Sequence, residues 1–148
     1  MIETWATIIV TSVSLLLFGY WFRYVCLLIL AAKPPRDYAR GVAIANDLGF
    51  RVVQEALRRG TARNARSLQT ALNRDFRVLS YLLKHAGRGH DDAIETRMLR
   101  IDYWAMDMWC WTSSWVSPPA SRRALQEMAL IVAHFASILA QKLASLRC

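Results

Sequence analysis

The chain has 148 residues, enough for one domain and a short appendage, and its net charge of +8 comes from 19 basic and 11 acidic residues. Its apolar fraction of 55% is high for a soluble domain. The three cysteines show neither a CxxC motif nor zinc-type spacing with histidine, which excludes a disulfide-rich secreted scaffold and favours a reducing compartment.

The N-terminal segment has the character of a membrane span. Residues 4–22 contain no charged side chain, and the apolar run resumes after Arg23 and continues to Ala32. Nineteen helical residues measure about 28 Å, close to the roughly 30 Å of a hydrocarbon core. The run is too long for a signal peptide and lacks a basic leader. We therefore predict a transmembrane anchor over residues 1–33, with a lipid zone at about residues 4–26.

Arg23 is the one charged residue inside this run, and aromatic neighbours surround it. Tyr20, Trp21 and Tyr24 are of the types that collect at membrane–water interfaces. We predict that these four residues mark the membrane boundary and that the Arg23 guanidinium snorkels towards water. The alternative is a tilted helix that uses the full run, with Arg23 deeper and paired to a partner subunit.

Charge on the two sides of the span predicts its orientation. Only Glu3 precedes the span, whereas Lys33, Arg36 and Arg40 follow it closely. The positive-inside rule then places the N-terminus outside and the remaining chain in the cytoplasm. Arginine outnumbers lysine 16 to 3 and alanine is abundant, which favours a GC-rich bacterial genome. The predicted location is the bacterial inner (plasma) membrane.

Periodicity and breakers divide the rest of the chain into helices. Prolines at 34–35 and 118–119, and glycines at 60, 87 and 89, separate amphipathic segments, and no segment alternates like a strand. The predicted helices cover residues 37–59, 64–86, 91–115 and 121–146. The predicted fold class is all-α, with one N-terminal transmembrane helix followed by an antiparallel four-helix cytoplasmic bundle over residues 36–148.

Apolar stripes predict which face of each helix is buried. In the first helix the stripe is Tyr38, Val42, Ala45, Leu48, Val52 and Ala56. In the second it is Leu68, Leu72, Phe76, Leu79 and Leu83. The fourth helix has a charge-free stretch over residues 128–141, too short to span a bilayer and typical of a buried core helix.

The third helix is the most aromatic part of the chain. Four of the six tryptophans lie between Trp104 and Trp115. A 3-4-3-4 spacing aligns five large apolar residues on one face: Ile101, Trp104, Met108, Trp111 and Trp115. Tyr103, Met106 and Trp109 widen this surface beyond one packed stripe. Core packing explains them, or they form a surface that contacts a protein partner or faces the bilayer, since Trp, Tyr and Met are enriched at interfaces.

Basic residues follow the anchor in sequence. Arg58, Arg59, Arg63 and Arg66 form the densest group. Together with Lys33, Arg36 and Arg40 they are candidate contacts for anionic lipid headgroups, the alternative being a solvated loop. The group lacks interleaved aromatic residues, so nucleic-acid binding is not predicted.

Histidines provide the other candidate chemistry. His85 and His90 lie near Asp91, Asp92 and Glu95 around one loop, which a solvated loop with a helix cap explains. His134 lies on the apolar fourth helix, where a hydrogen-bonded core histidine is expected. The alternative is a heme- or metal-carrying subunit that uses His85, His90 or His134.

No nucleophile motif, phosphate-binding loop or paired-carboxylate motif is present in the sequence. The sequence therefore favours a non-catalytic, membrane-anchored interaction scaffold or accessory subunit. Its predicted partners are membrane lipid and an unidentified protein, with no cofactor and no small-molecule substrate.

Overall fold

The computed structural model describes residues 1–32, 38–60, 64–86 and 93–145, and every regular element within them is helical. An apolar N-terminal helix is followed by five more. In chain order they are α1 (Ile2–Ala32), α2 (Tyr38–Ala45), α3 (Phe50–Arg58), α4 (Ala65–Ala86), α5 (Ala93–Val116) and α6 (Pro118–Ser145). The all-helical prediction and the N-terminal apolar helix are confirmed.

α1 has two unlike halves. Every residue from Met1 to Trp21 is exposed. From Phe22 onward the helix lies against α5 and α6, where Cys26 is fully buried and Ile29 and Leu30 pack against the core. The helix contains no proline and continues unbroken from the exposed half into the docked half.

The single helix predicted over residues 37–59 is wrong, because a turn at residues 46–49 separates α2 from α3. Asp47 adopts a left-handed backbone conformation with φ of 50°, which asparagine and aspartate tolerate better than most residues. The Asn46 amide donates to the Val42 carbonyl oxygen at 3.0 Å. These local contacts compete with helix continuation.

The free backbone N–H groups at the start of α3 are bound by a side chain of another helix. The N-cap residue Gly49 has no side chain to accept a hydrogen bond, and the backbone N–H groups of Gly49 and Phe50 donate to the carboxyl of Asp75 on α4. The turn also rotates α3 relative to the apolar stripe that was predicted for one continuous helix. Val52 of the predicted stripe is therefore 73% exposed, whereas Val53 is buried.

The predicted stripe of α4 faces the core. Leu72, Leu79 and Leu83 are buried, and Phe76 is partly buried with its ring stacked on Tyr103 at a centroid distance of 3.8 Å. Phe76 also stacks on Phe135 of α6, at a centroid distance of 5.5 Å. Stacked rings thus join α4, α5 and α6.

α6 is the central helix, in contact with α2, α3, α4 and α5. Every residue over 131–137 is buried, as the sequence predicts for its charge-free stretch. The helix begins at Pro118, earlier than the predicted start near Ser121, because proline is tolerated in the first turn of a helix. Ser117 alone separates it from α5, which makes a tight corner.

Candidate functional site

Helices α2 to α6 form the body of the protein, and the second half of α1 packs on it through α5 and α6. Arg23 lies in this contact. Its guanidinium pairs with the carboxylate of Glu127 on α6, and its Nη1 lies 3.9 Å from an oxygen of Asp102 on α5. Nη1 also lies 3.0 Å from the Met106 sulfur. The sequence predicts that the Arg23 head snorkels towards water or pairs with a partner subunit, whereas here carboxylates of the same chain hold the guanidinium.

The two carboxyls that face Arg23 differ in burial. Asp102 is 4% exposed, and burial raises its pKa above the ordinary value. The positive charge of Arg23 opposes this rise, and the nearby Glu127 carboxylate adds to it. One cation and two carboxyl groups therefore share a half-buried site, and α1 supplies the countercharge that makes burial of Asp102 tolerable.

The other predicted boundary residues lie on the surface of α1. Tyr20, Trp21 and Tyr24 are all exposed, on the turns that flank Arg23. The structure thus brings three amphipathic rings together around the residue at which the exposed half of α1 ends.

A cavity of about 450 Å³ opens beside Arg23. Helices α1, α5 and α6 all contribute to its wall, which reaches the corner between α5 and α6. Its lining residues are Arg23, Met106, Trp109, Ser117, Pro119, Ala120, Arg123, Ala124 and Glu127.

The face of α5 that was predicted to bind a partner is mostly buried, and the face that resembles a core stripe is exposed. Tyr103 and Met106, two of the three predicted partner residues, are only 3% and 9% exposed and belong to the core. That assignment is wrong for these two, whereas Trp109 is exposed, as a partner residue must be. The reason is that α5 turns its flank inward and its main stripe outward.

The outward stripe is large and continuous. On a helix of about 3.6 residues per turn its five residues fall within roughly 80° of arc, opposite the buried face. Each of the five is more than half exposed, with Trp104 at 64% and Trp115 at 75%; the members are Ile101, Trp104, Met108, Trp111 and Trp115. An exposed apolar surface rich in tryptophan is characteristic of an interaction site.

Polar partners explain why the flank of α5 can be buried. The Tyr103 hydroxyl donates to the side-chain oxygen of Asn73 at 2.7 Å, and the Asn73 amide donates to Asp107 at 3.0 Å. The Gln69 amide also donates to Asp107, at 2.7 Å. Burial raises the pKa of Tyr103, so the hydroxyl stays protonated and remains a donor. Periodicity alone does not reveal this network.

A second cavity of about 590 Å³ lies between α4 and α5. Phe76 and Tyr103 line it, and the exposed stripe enters its wall through Ile101 and Trp104. The guanidinium groups of Arg77 and Arg100 add positive charge at its rim. The cavity is therefore continuous with the outward face of α5.

Two of the histidines that the metal hypothesis would combine have different surroundings. His134 is buried and its Nε2 lies 3.1 Å from Glu95, whereas His85 is exposed with Nδ1 2.8 Å from the Tyr81 carbonyl oxygen. His90, Asp91 and Asp92 lie outside the described residues. Among residues 1–32, 38–60, 64–86 and 93–145, no group of three or more His, Cys, Asp or Glu side chains converges on a metal position.

The basic residues predicted to contact lipid are only partly visible. Arg58, Arg59 and Arg66 are exposed, and the Nε of Arg59 lies 2.7 Å from the Glu55 carboxylate. Lys33, Arg36 and Arg63 lie outside the described residues, as does the side chain of Arg40.

The comparisons with known proteins add no family: no family model matches the chain, and neither a curated protein nor a solved structure is similar to it.

Proposed function

We propose that the chain is a single-pass, membrane-anchored helical protein whose body acts without catalysis, as an interaction scaffold or accessory subunit. The observation that carries this proposal is the contrast within α1. Its first half is apolar and exposed, and its second half is locked to the body. Within the residues that the structure describes, two helices are long and apolar enough to cross a membrane, α1 and α6, and most of the apolar window of α6 is buried by the rest of the protein.

The exposed half of α1 needs a covering that the body does not supply. Residues 2–21 would measure about 30 Å, the thickness of a hydrocarbon core. Large aliphatic and aromatic side chains such as Leu16 and Phe18 point outward here on all sides of the helix. Lipid around such a helix leaves none of its backbone groups unsatisfied, because the hydrogen bonds are internal.

The body then sits directly beside the membrane. In this proposal α2 with α3, α4, α5 and α6 act as an antiparallel four-helix bundle in the cytoplasm, and the N-terminus lies outside the bacterial inner membrane. The charge asymmetry of Glu3 against Lys33, Arg36 and Arg40 supports this orientation.

The outward stripe of α5 supports the interaction role. Tryptophan anchors dominate the binding energy of many interfaces, and three indoles of the outward stripe point away from the core. The partner we propose is an integral membrane protein with a complementary apolar helix, because α1 keeps this face next to the bilayer where such helices emerge.

Alkaline carbonate extraction of isolated membranes tests the anchor. We expect the full chain to remain in the pellet and to be released only by detergent. Val10→Arg together with Val13→Arg should release it, because each charge near the centre of the span costs about 2.5–3.5 kcal/mol. Recovery of the wild-type chain in the aqueous supernatant contradicts the anchor.

Site-specific photocrosslinking in membranes tests the scaffold role. A photoreactive residue at position 111, on the outward stripe, should give one discrete protein adduct. The same residue at position 81 is the matched control, because Tyr81 is an equally exposed aromatic side chain on α4. Identical adduct patterns at both positions, or no protein adduct at position 111, contradict a specific partner on α5.

A further inference from the structure

The cavity beside Arg23 has the composition of an anion site. Two arginines, Arg23 and Arg123, line it together with one carboxylate, Glu127, and Asp102 lies 3.9 Å from the Nη1 of Arg23. Arg23 is therefore paired within the chain, so Arg123 supplies the available positive charge. Arg123 is exposed and has no ion-pair partner in the part of the chain that the structure describes. The cavity volume of about 450 Å³ falls in the range of small-ligand sites, roughly 300–1,000 Å³.

Arg23 is fixed in place before any ligand arrives. Glu127 and the Met106 sulfur hold the two ends of its guanidinium. Asp102 also lies 3.9 Å from Nη1. A guanidinium has five N–H donors, so these contacts still leave donors for a ligand. A pre-positioned planar fork suits a phosphate group, which it can bind through two parallel hydrogen bonds.

The cavity also lies at a defined depth if α1 spans a membrane. Arg23 follows directly on the exposed stretch that matches the hydrocarbon thickness, so its guanidinium lies at the level of the headgroups. Trp109, which is 56% exposed, forms an apolar wall of the same cavity. A ligand here would meet cations at one end and an indole and α1 along its length.

We propose that this cavity binds the phosphate of an anionic phospholipid, between Arg23 and Arg123, with the glycerol backbone against Trp109 and the acyl chains along α1. The proposal rests on the membrane anchor proposed above. It differs from a general basic surface because it names one cavity between three helices, and none of its residues belongs to the basic segment that follows the anchor.

Lipid titration of the purified full chain tests the site. The delipidated protein in nonionic detergent is titrated with phosphatidylglycerol or with phosphatidylcholine of the same acyl chains, and bound lipid is counted by native mass spectrometry. We expect a clear preference for phosphatidylglycerol. Arg123→Ala should weaken its binding about tenfold, the value of one charge-assisted hydrogen bond.

Arg122→Ala is the matched control, since it removes the same charge from the neighbouring exposed position, which does not line the cavity. It should bind phosphatidylglycerol like the wild type. Inorganic phosphate at millimolar concentration distinguishes the source of the anion. Competition with the lipid supports a phosphate site, whereas binding of inorganic phosphate without binding of the lipid overturns the lipid assignment.

Equal binding of both lipids, or equal loss in Arg122→Ala and Arg123→Ala, also overturns the proposal. Carbonate extraction of the same variants separates this failure from failure of the anchor. A chain that stays in the membrane but shows no lipid preference contradicts only the cavity. A chain that washes out of the membrane contradicts the anchor on which the cavity depends.

Discussion

α1 and α6 are both long and apolar, but their surroundings are opposite. Their most apolar windows have mean hydropathies of 1.9 and 1.4, yet 6% of the window is buried in α1 and 67% in α6. The hydrophobic effect requires both helices to leave water. Which medium receives them depends on the neighbours that the fold supplies, and α6 is in contact with five other helices, whereas α1 contacts only α5 and α6 among the larger helix–helix contacts.

Side-chain size helps to explain the difference. α6 repeats small residues, among them Ala124, Ala129, Ala133 and Ala136, all buried. Small side chains let several helices approach one axis closely. The exposed half of α1 instead has a run of bulky residues at Leu15, Leu16 and Leu17, which no helix of the described chain covers. Their bulk suits contact with lipid chains.

The largest expected effect comes from deleting the same side chain from the two helices. Phe135→Ala removes a fully buried ring of α6 that stacks on Phe76, and should lower the free energy of unfolding by about 3–5 kcal/mol. Phe18→Ala removes an exposed ring of α1 and should change it by less than about 0.5 kcal/mol. Denaturant titration of the full chain in detergent micelles measures both values.

A comparable loss of stability in both variants would break the comparison, because it would show that the first half of α1 packs on the body. Near-ultraviolet circular dichroism of each variant is the control, since it reports whether the aromatic core stays ordered.

A smaller effect is expected where the two helices meet. Arg23→Leu leaves the buried Asp102 and the nearby Glu127 without their cation, and should cost about 1–2 kcal/mol. The value is below that of a fully buried pair because the Arg23 side chain is 37% exposed and its charge is screened by solvent. The variant should still fractionate with membranes. The same denaturant titration measures the loss.

Asp102→Asn in the Arg23→Leu background should restore part of that stability, because the repulsion between the two carboxylates disappears. A double variant that is less stable than Arg23→Leu alone would contradict an electrostatic role for Asp102 and indicate a packing role.

The smallest effect concerns pH. Burial raises the pKa of Asp102 above its ordinary value of 3.8, so the folded chain holds this proton more tightly than the unfolded chain. Stability from Asp102 is then greatest at low pH and declines as pH rises from 3.8 through the raised pKa. Asp102→Asn should flatten this decline. Burial also raises the pKa of Asp75, so part of the slope should remain in that variant.

Thermal melts of the wild type and of Asp102→Asn at several pH values between 4 and 7 measure the two slopes. Parallel curves would show that Asp102 has the same proton affinity in both states.

The spacing of apolar residues was sufficient to predict the buried face of helices whose two faces differ in polarity. The stripe of α4 contains Leu72, Leu79 and Leu83, and its opposite face carries charges, so periodicity could choose the buried side. The charge-free stretch of α6 likewise predicted a core helix. In both helices each residue's preference agrees with the final packing.

The pattern failed where the deciding contact is distant in sequence. Both faces of α5 are apolar, so periodicity could not show which one is buried. The buried face is the one whose Tyr103 and Asp107 form hydrogen bonds with Asn73 and Gln69 on α4. The partners of Arg23 lie on α5 and α6, 79 or more residues away. The break at residues 46–49 did have a local signal, the sequence Asn-Asp-Leu-Gly, which the apolar repeat outweighed.

The continuity of α1 has a mechanical consequence for a protein anchored in this way. A single unbroken helix is stiff. The ion pairs of Arg23 fix its second half to the body, and no break separates this half from the exposed first half. A bilayer that thins or thickens changes the tilt of a spanning helix. In this protein that tilt would be passed to the body as a rigid rotation, so membrane thickness would set the angle at which the tryptophan face of α5 is presented.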